Sequence, residues 1–318
     1  MTKETKKRFH NKKVREYLFI YGLLAYPLLN FIVFYVVKNV NSVLMAFQST
    51  DSVTYVSTWV GFENFRRIGT DLFRNKALLG YVGRSAMFWI VTTAVGMPLN
   101  VLFAYLFMIK MRGTPIIRFG VMVPTIISGL VTAMLFSKFA ENALPIAFEK
   151  LFGIKTVSLL RDERFNFQTI VVYMLLTGFS YNILIYMNGM KGAGESLFEV
   201  AWLEGATHLQ TIRYVCLPSV YQIMMTFLVT SVPGILCGDP GLYVFYAYDA
   251  PDSVITSGYY LFIKTKNSDS SVIDYSYAAA MGLMFTAVSL PLTLGVRKLM
   301  DRLDPNNERP EKKAREAK

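Results

Sequence analysis

Six stretches of the chain are apolar for long enough to cross the hydrocarbon core of a membrane. An α-helix needs about 20 predominantly apolar residues to do so. The stretches cover residues 17–37, 85–109, 117–136, 168–188, 219–237 and 277–296. The pattern therefore predicts an all-α fold, a polytopic membrane protein with six transmembrane helices.

The overall composition agrees with this membrane assignment. The 318 residues are 53% hydrophobic and 17% charged, which is too apolar for an ordinary soluble domain. The net charge of +11 could suit a nucleic-acid partner, but the charges lie between the apolar runs. Orientation in a lipid bilayer explains them better than nucleic acid does.

The first run, 17–37, is longer than the apolar core of a signal peptide and lacks the cleavage site of one. It therefore predicts a retained helix.

The distribution of basic residues predicts which ends of the helices face the cytoplasm. If the N-terminus is inside, 20 of the 33 Lys and Arg residues lie on the inner side and 13 on the outer side. This excess predicts that both termini are cytoplasmic. Residues 1–16 and 297–318 are then basic cytoplasmic tails, and the segment 189–218 is a cytoplasmic loop between the fourth and fifth runs.

The cytoplasmic loop contains a predicted short helix. Ser196 and Glu199 have the spacing of a capping box, which predicts a helix start near Leu197. Gly205 is expected inside that helix, at a cost of about 1 kcal/mol relative to alanine, and Pro218 is expected to end the segment. An apolar stripe follows helical spacing through Phe198, Ala201, Trp202, Gly205 and Ala206.

Sequence motifs for catalysis are not found in the chain. It lacks a GxxxxGK[ST] loop for ATP, a GxSxG elbow and an HExxH pair, so we expect no enzymatic activity and no cofactor. The apolar runs also lack the central carboxylates or lysine pairs that ion-coupled carriers often use. A neutral substrate and an external energy source are therefore favoured, while a secondary transporter or a non-transport scaffold remain alternatives.

The polar residues within the apolar runs are neutral. Hydroxyl, amide and aromatic groups suit a sugar, which offers hydroxyls and apolar ring faces. The same groups also make hydrogen bonds between membrane helices, at about 0.6 kcal/mol each, so both interpretations stay open. The groups are Asn30, Asn100, Thr125, Ser128, Tyr173, Thr177, Tyr181, Asn182, Tyr186, Thr226, Thr230 and Ser231.

The loop resembles the cytoplasmic EAA loop of ABC-importer permeases of the maltose and oligosaccharide type. That pattern reads E-A-A, three residues, G, nine residues, I, any residue, L-P. Val200 and Val215 replace an alanine and the isoleucine. A shorter stretch beginning at Gly61 resembles the G-x-x-N-F sequence that follows the first helix in sugar permeases. The residues predicted to couple to an ATPase are Glu199, Ala201, Trp202, Gly205, Ala206, Leu217 and Pro218.

The resemblance implies a multi-subunit assembly in the bacterial cell membrane. Residues 17–296 would form the transmembrane domain, and the loop 197–218 would insert into an ATPase subunit, with Phe198 and Trp202 as apolar anchors. The expected partners are two ATP-binding subunits, which hold the ATP, an extracytoplasmic solute-binding protein and a second permease subunit. The second permease would make a heterodimer.

The resemblance also implies positions along the substrate path. Met174 and Ile235 stand at positions where the family has amide side chains. This difference favours a sugar other than maltose, or a subunit whose own site is vestigial. An importer of another solute, such as a phosphodiester or a polyamine, is the alternative. The family positions fall on Thr125, Gly129, Met174, Gly178, Ser231 and Ile235, and the polar pair Tyr181 and Asn182 joins them as path candidates.

Overall fold

A computed structural model describes residues 3–50, 56–74, 76–109, 113–153, 158–192, 194–266 and 275–305. Within these ranges, the side chains of residues 3–13, 50, 125, 180, 181 and 195 are not described. The chain forms two compact units. One contains Met1–Gly69 and Ser268–Leu283, and the other contains Thr70–Asn267 and Met284–Lys318.

The first unit begins with one long apolar helix. It comprises α1 (Lys3–Asn30), a π-helical turn (Phe31–Val36) and α2 (Val37–Met45). The candidate span is Val14–Met45, and none of its most apolar window is buried, as suits a helix surrounded by lipid. The strands β1 (Gln48–Thr50) and β2 (Ser57–Trp59) pair antiparallel, with Gln48 opposite Trp59. These two short strands are a small departure from the purely helical prediction.

The G-x-x-N-F stretch closes the connection between α2 and α3 (Glu63–Arg74). The Nδ2 atom of Asn64 donates to the carbonyls of Ala46 at 2.9 Å and Gln48 at 2.8 Å. Gly61 turns the chain with a φ of +61°, which glycine adopts without steric cost. The ring of Phe47 contacts three other aromatic rings, those of Trp59, Phe62 and Phe65. The residues of the G-x-x-N-F stretch therefore stabilise the connection between α2 and α3 within this unit.

The second unit is helical in the part of the chain that the structure describes. Its elements are α4 (Lys76–Met108), α5 (Thr114–Ile126), α6 (Gly129–Lys138), a π turn (Phe139–Ala143), α7 (Leu144–Phe152), α8 (Asn166–Gly192), α9 (Glu195–Leu203), α10 (His208–Thr211), a π turn (Ile212–Cys216), α11 (Leu217–Ser231), α12 (Gly234–Cys237), α13 (Leu242–Tyr246) and α14 (Ser257–Lys266). The last helix, α15 (Tyr275–Leu303), begins in the first unit and ends in the second. Four helices of the described chain are long and apolar enough to span a membrane, or six if each of two bent pairs is one span.

The third predicted span, 117–136, is broken rather than straight. Thr114–Pro124 and Gly129–Phe152 meet at 101°. The backbone of Ile127 is extended, with φ −84° and ψ 142°, so the α-helical hydrogen bonds stop there. Pro124 lacks an N–H, and proline and glycine next to a break are common causes of a sharp bend. The fourth span is also bent, by 41° between Asn166–Phe179 and Asn182–Gly192.

The fifth span was predicted at 219–237, but its helix begins earlier. Pro218, which was expected to end the loop segment, lies within this helix. A continuous helical segment runs from His208 to Ser231. The π turn Ile212–Cys216 lies directly before Pro218, and the N–H of Leu217 bonds to the carbonyl of Ile212. Pro218 follows this π turn closely, at a point where the regular α-helical hydrogen-bond pattern is already interrupted, and the helix continues through it.

Two buried clusters hold α4 against α8, one toward each end of these helices. The first cluster includes Phe88, Leu160, Ile170, Leu242, Tyr246 and Tyr259. The second includes Val101, Tyr105, Ile183, Tyr186, Met190, Phe198, Cys216 and Val220. Along both α4 and α8, residues of the first cluster come before residues of the second, so the middle of each helix lies between two packed regions.

The start of α14 packs directly on backbone atoms of the loop after α12. The hydroxyls of Ser85 and Ser257 lie 2.8 Å apart, and the Ser257 N–H donates to Ser85 at 3.0 Å. A Cβ at Gly258 would lie 2.5 Å from the carbonyl oxygen of Cys237 and 2.9 Å from that of Gly238. These atoms belong to the backbone, so they cannot rotate aside as a side chain would.

The variant Gly258→Ala should lower the stability of the folded protein by about 1–3 kcal/mol, the usual cost of overpacking a closely packed site. Gly120→Ala is the control, because a Cβ there meets nothing within 4 Å. Thermal unfolding of both variants in detergent measures the difference. Equal melting temperatures for the two variants would contradict the close approach at Gly258.

Candidate functional site

A cavity of about 350 Å³ lies between the middle parts of α4 and α8 and the end of α11. Its walls combine hydroxyl and amide groups with aromatic and thioether side chains, and the described lining carries no charge. The lining residues are Thr92, Thr93, Gly96, Met97, Asn100, Met174, Leu175, Gly178, Asn182, Tyr186, Phe227, Thr230 and Ser231.

The cavity lies between the two buried clusters. On α4, Phe88 belongs to the first cluster and Val101 to the second, and the lining residues occupy positions 92–100 between them. On α8, most of the lining residues likewise lie between Ile170 of the first cluster and Ile183 of the second, while Tyr186 both lines the cavity and belongs to the second cluster. If these helices cross a membrane, the cavity is near the middle of their length.

Two glycines that line the cavity, one on α4 and one on α8, have different surroundings. A Cβ at Gly96 would lie 3.3 Å from Cδ2 of Leu175, so the helices are already in close contact there. A Cβ at Gly178 would meet nothing within 4 Å, so the absent side chain leaves open space. Across the cavity, the indole Nε1 of Trp89 donates to Oγ of Ser231 at 3.0 Å. This bond ties α4 to α11.

Asn100 is an exception to the usual pairing of buried polar groups. It is 5% exposed, and its Oδ1 atom is buried without a hydrogen-bond partner among the described residues. Leaving such an acceptor unpaired costs about 1–3 kcal/mol. Since Asn100 lines the cavity, a rotation of its side chain would present this acceptor to a molecule that enters the cavity.

The structure brings together four of the predicted path residues, which are Met174, Gly178, Asn182 and Ser231. It does not place Gly129 or Ile235 in the cavity lining. Gly129 instead begins α6 next to the break, and Ile235 lies in α12. The side chains of Thr125 and Tyr181 lie outside those described.

The α4 side of the cavity was not among the predicted path positions, although Asn100 was one of the neutral polar groups noted in the sequence. It consists of Thr92, Thr93, Gly96, Met97 and Asn100. Asn100 stands out in the sequence as an amide within an apolar run, but nothing in that run shows which way it faces. The threonines give still less signal, because Thr92 bonds to the Phe88 carbonyl of its own helix at 2.7 Å.

The short helix of the loop, α9, starts two residues before the predicted position. It begins at Glu195 after Gly194, whose φ is +103°, and no side chain caps it. The predicted capping box at Ser196 and Glu199 is therefore wrong. A capping box forms further along instead, where Thr207 and Gln210 bond reciprocally at the start of α10.

Gly205 terminates α9 rather than lying inside it, as was predicted. Its φ is +79°. Its N–H bonds to the Trp202 carbonyl at 3.1 Å, and the Ala206 N–H bonds to the Ala201 carbonyl at 2.9 Å. This is the hydrogen-bond pattern of a Schellman motif, in which glycine is the usual residue at the left-handed position. Gly205 thus stabilises a helix end instead of weakening a helix interior.

The exposed face of α9 is mostly apolar, with Ser196 and Glu199 as its exposed polar residues. Leu203 is 88% exposed and Trp202 is 42% exposed, and Leu197 and Val200 are also exposed. Phe198 is only 1% exposed and packs in the second buried cluster. The prediction that Phe198 anchors a partner is therefore wrong, because the side chain is out of a partner's reach.

A hydrogen bond joins α4 to the segment that follows α9. The hydroxyl of Tyr105 lies 2.7 Å from Nδ1 of His208, and the two rings meet edge to face at 6.0 Å. Tyr105 is buried in the second cluster, while His208 is exposed at the start of α10. The remaining predicted coupling residues are distributed along the loop. Glu199 is in α9, Ala206 follows α9, and Leu217 and Pro218 begin α11.

Several bacterial sugar permeases are similar to this chain in sequence. The multiple sugar-binding transport system permease protein MsmF of Streptococcus mutans is 23% identical over 72% of this chain and 78% of its own length. The arabinooligosaccharides transport system permease protein AraP of Halalkalibacterium halodurans is 24% identical over 90% of this chain and 87% of its own length.

Solved structures share the fold. A chain of a bacterial ABC transporter involved in the import of the acidic polysaccharide alginate superposes with a TM-score of 0.72 at 18% identity, covering 93% of this chain and 99% of that chain. The bacterial alginate transporter in complex with an alginate pentasaccharide-bound periplasmic protein gives 0.73 at 17% identity, covering 92% and 98%. A family model also matches residues 77–309. The chain therefore belongs to the family described as binding-protein-dependent transport system inner membrane components.

Proposed function

We propose that the chain is the permease subunit of an ATP-driven importer and that a neutral sugar or oligosaccharide crosses the membrane through the cavity of α4, α8 and α11. Membership of the family makes it a multi-pass cell-membrane transport component rather than an enzyme. The observation that carries the proposal is the neutral lining of the cavity. The names of the similar permeases, which include sugar and arabinooligosaccharide transport, support the same substrate class.

The chemistry of the lining suits a sugar. Hydroxyls of Thr230 and Ser231 and amides of Asn100 and Asn182 can bond sugar hydroxyls, and the ring of Phe227 can cover an apolar sugar face. A phosphodiester or a polyamine carries charge, and the described lining offers no opposite charge to pair with it. Of the predicted path residues, Met174, Gly178, Asn182 and Ser231 keep this role.

The proposed topology has six spans with both termini in the cytoplasm. Each bent helix pair then counts as one span, and the excess of basic residues in the predicted inner segments supports this orientation. The transmembrane domain covers about 17–296, with the loop 189–218 inside. The basic tails 1–16 and 297–318 flank it; residues 306–318 lie outside the described part of the chain.

The coupling loop is proposed to dock on an ATP-binding subunit through the exposed face of α9. Exposed apolar side chains of this kind mark protein interaction sites, and Trp202 and Leu203 would be the anchors. The Schellman turn at Gly205 sets the direction of the chain after the helix. Glu199, Ala201, Ala206, Leu217 and Pro218 complete the segment that matches the family loop.

Motion of the loop can reach the cavity along α4. The bond between Tyr105 and His208 connects the loop to the helix that also carries Asn100. ATP can drive this change only if it binds one conformation of the assembly more tightly than the other. To shift the population ratio of the two conformations from 1:99 to 99:1, the two binding free energies must differ by about 5.5 kcal/mol. The chain itself would need no cofactor, because the ATP is held by two partner subunits.

Two further partners complete the proposed importer. A solute-binding protein would deliver the sugar, as the family description implies, and a second permease chain would form the other half of the path. A stand-alone secondary transporter and a membrane scaffold lose their support, because the family works with a binding protein.

The variant Asn100→Leu should weaken sugar transport while leaving the fold intact. It removes an acceptor that has no described partner, so the melting temperature should stay the same or rise. The KM for uptake should rise roughly two- to tenfold, the value of one hydrogen bond. Thr177→Val is the control, because that hydroxyl bonds the Tyr173 carbonyl of its own helix and does not line the cavity. An unchanged KM in Asn100→Leu would argue against substrate contact.

The variant Leu203→Asp should prevent the ATP-binding subunits from copurifying and should reduce uptake at least about tenfold, because a desolvated charge at an interface is costly. Phe73→Asp is the matched control. Its side chain is 89% exposed, against 88% for Leu203, but it lies on the proposed outer side. Equal ATPase recovery from both variants would contradict the docking role of α9.

Thiol labelling tests the orientation. Cys216 is buried and Cys237 is exposed, so a Cys237→Ser background removes the accessible thiol. The cells are first stripped of the layers outside the cell membrane, while that membrane stays intact. A membrane-impermeant maleimide should then label Thr58→Cys directly, and it should label Glu204→Cys only after the membrane is permeabilised. The reverse pattern would overturn the proposed topology and, with it, the cytoplasmic coupling loop.

A further inference from the structure

A second cavity, of about 700 Å³, lies where the end of α4, the start of α5 and the end of α8 come together. It is separate from the mid-helix cavity and shares none of its lining residues. Its walls are partly apolar and partly basic. They consist of Phe107, Met108, Gly113, Thr114, Pro115, Arg118, Phe119, Met122, Met187 and Lys191.

The polar part of this second cavity is positively charged. Arg118 and Lys191 both line it, and neither forms a salt bridge with an acidic residue of the described chain. The N-terminus of α5 lies at the same place, since Thr114 and Pro115 are lining residues. A helix N-terminus carries a partial positive charge, so three positive groups of different origin border one cavity. They favour an anionic ligand.

The apolar part of the cavity has a rigid wall and an open wall. Phe107 and Met187 are buried in the second cluster, so they are held in place. Phe119 is 68% exposed, and Met108 and Met122 are flexible side chains that adapt to an apolar chain. A free inorganic anion would make no use of these groups, and a purely apolar solute would make no use of the cations.

An anionic phospholipid has both chemistries in one molecule. Basic pockets between membrane helices bind such head groups, and an apolar wall beside the cations can accept the first part of an acyl chain. We propose that this second cavity binds one anionic phospholipid, with its phosphate between Arg118, Lys191 and the α5 N-terminus and its acyl chains along Phe119 and Met122.

The position of this lipid site relates it to the coupling loop. On α4, Phe107 and Met108 follow two and three residues after Tyr105, which bonds to His208. The lipid would therefore lie at the same end of the bundle as the loop. The assignment to the cytoplasmic leaflet depends on the proposed topology, but the binding itself does not.

Lipid-dependent thermal unfolding of the purified full-length chain, in detergent micelles, tests the site. Phosphatidylglycerol should raise the melting temperature of the wild type, because a ligand that binds only the folded state stabilises it, while phosphatidylcholine with the same acyl chains should not. The double variant Arg118→Gln, Lys191→Gln should bind phosphatidylglycerol about thirtyfold more weakly, at about one kcal/mol for each basic residue removed. The control Arg297→Gln, Lys298→Gln removes two exposed charges from α15 and should respond as the wild type does.

A second variant addresses the apolar wall independently. Phe119→Ser should weaken phosphatidylglycerol binding and leave any effect of glycerol phosphate unchanged. The proposal fails if phosphatidylcholine stabilises the wild type equally, if the Arg118 and Lys191 double variant keeps the full response, or if glycerol phosphate alone reproduces it. Transport activity is not part of the readout, so the result is independent of the proposed sugar import.

Discussion

The packing of α4 on α8 is the constraint on which the rest of the structure depends. Around Phe88 and around Tyr105 the two helices share a buried core, and between these regions Gly96 of α4 lies close to the Leu175 side chain of α8. A bilayer provides no hydrophobic force between helices, so close packing of small and large side chains must supply the association. Two such contacts can hold a polar cavity open, because neither helix can tilt into it.

One helix of this pair, α4, connects the cavity with the loop. Asn100 and Tyr105 lie on α4 little more than one turn apart, the first lining the cavity and the second bonding to His208. Under the proposed coupling, a displacement of the loop would change the position of a cavity wall without passing through a flexible linker. The wall opposite carries the Trp89–Ser231 bond, which would have to lengthen or break if α4 moved relative to α11.

Much of this could be predicted from the sequence, and the failures have physical causes. The apolar runs and the family loop were recognisable because length and motif spacing are local properties. The capping box at Ser196 and the interior position of Gly205 were wrong because several spacings in that segment fit a helix start or interior, and tertiary contacts select one. Phe198 was assigned to a partner because an aromatic residue has the same periodicity whether it faces inward or outward. The α4 side of the cavity was not assigned to the path because its few polar residues lie in a mostly apolar run, which gives no amphipathic direction.

The π turn at Ile212–Cys216 has a consequence for how this segment can vary. A π turn contains one residue more than an α-helical turn, so the helix before it is rotated relative to the helix after it. Deleting a single residue there would restore regular α-helix and turn His208 by about 100° around the axis, away from Tyr105. Changes of chain length within this helix would thus alter the registry between the loop and the bundle while leaving the number of membrane crossings the same.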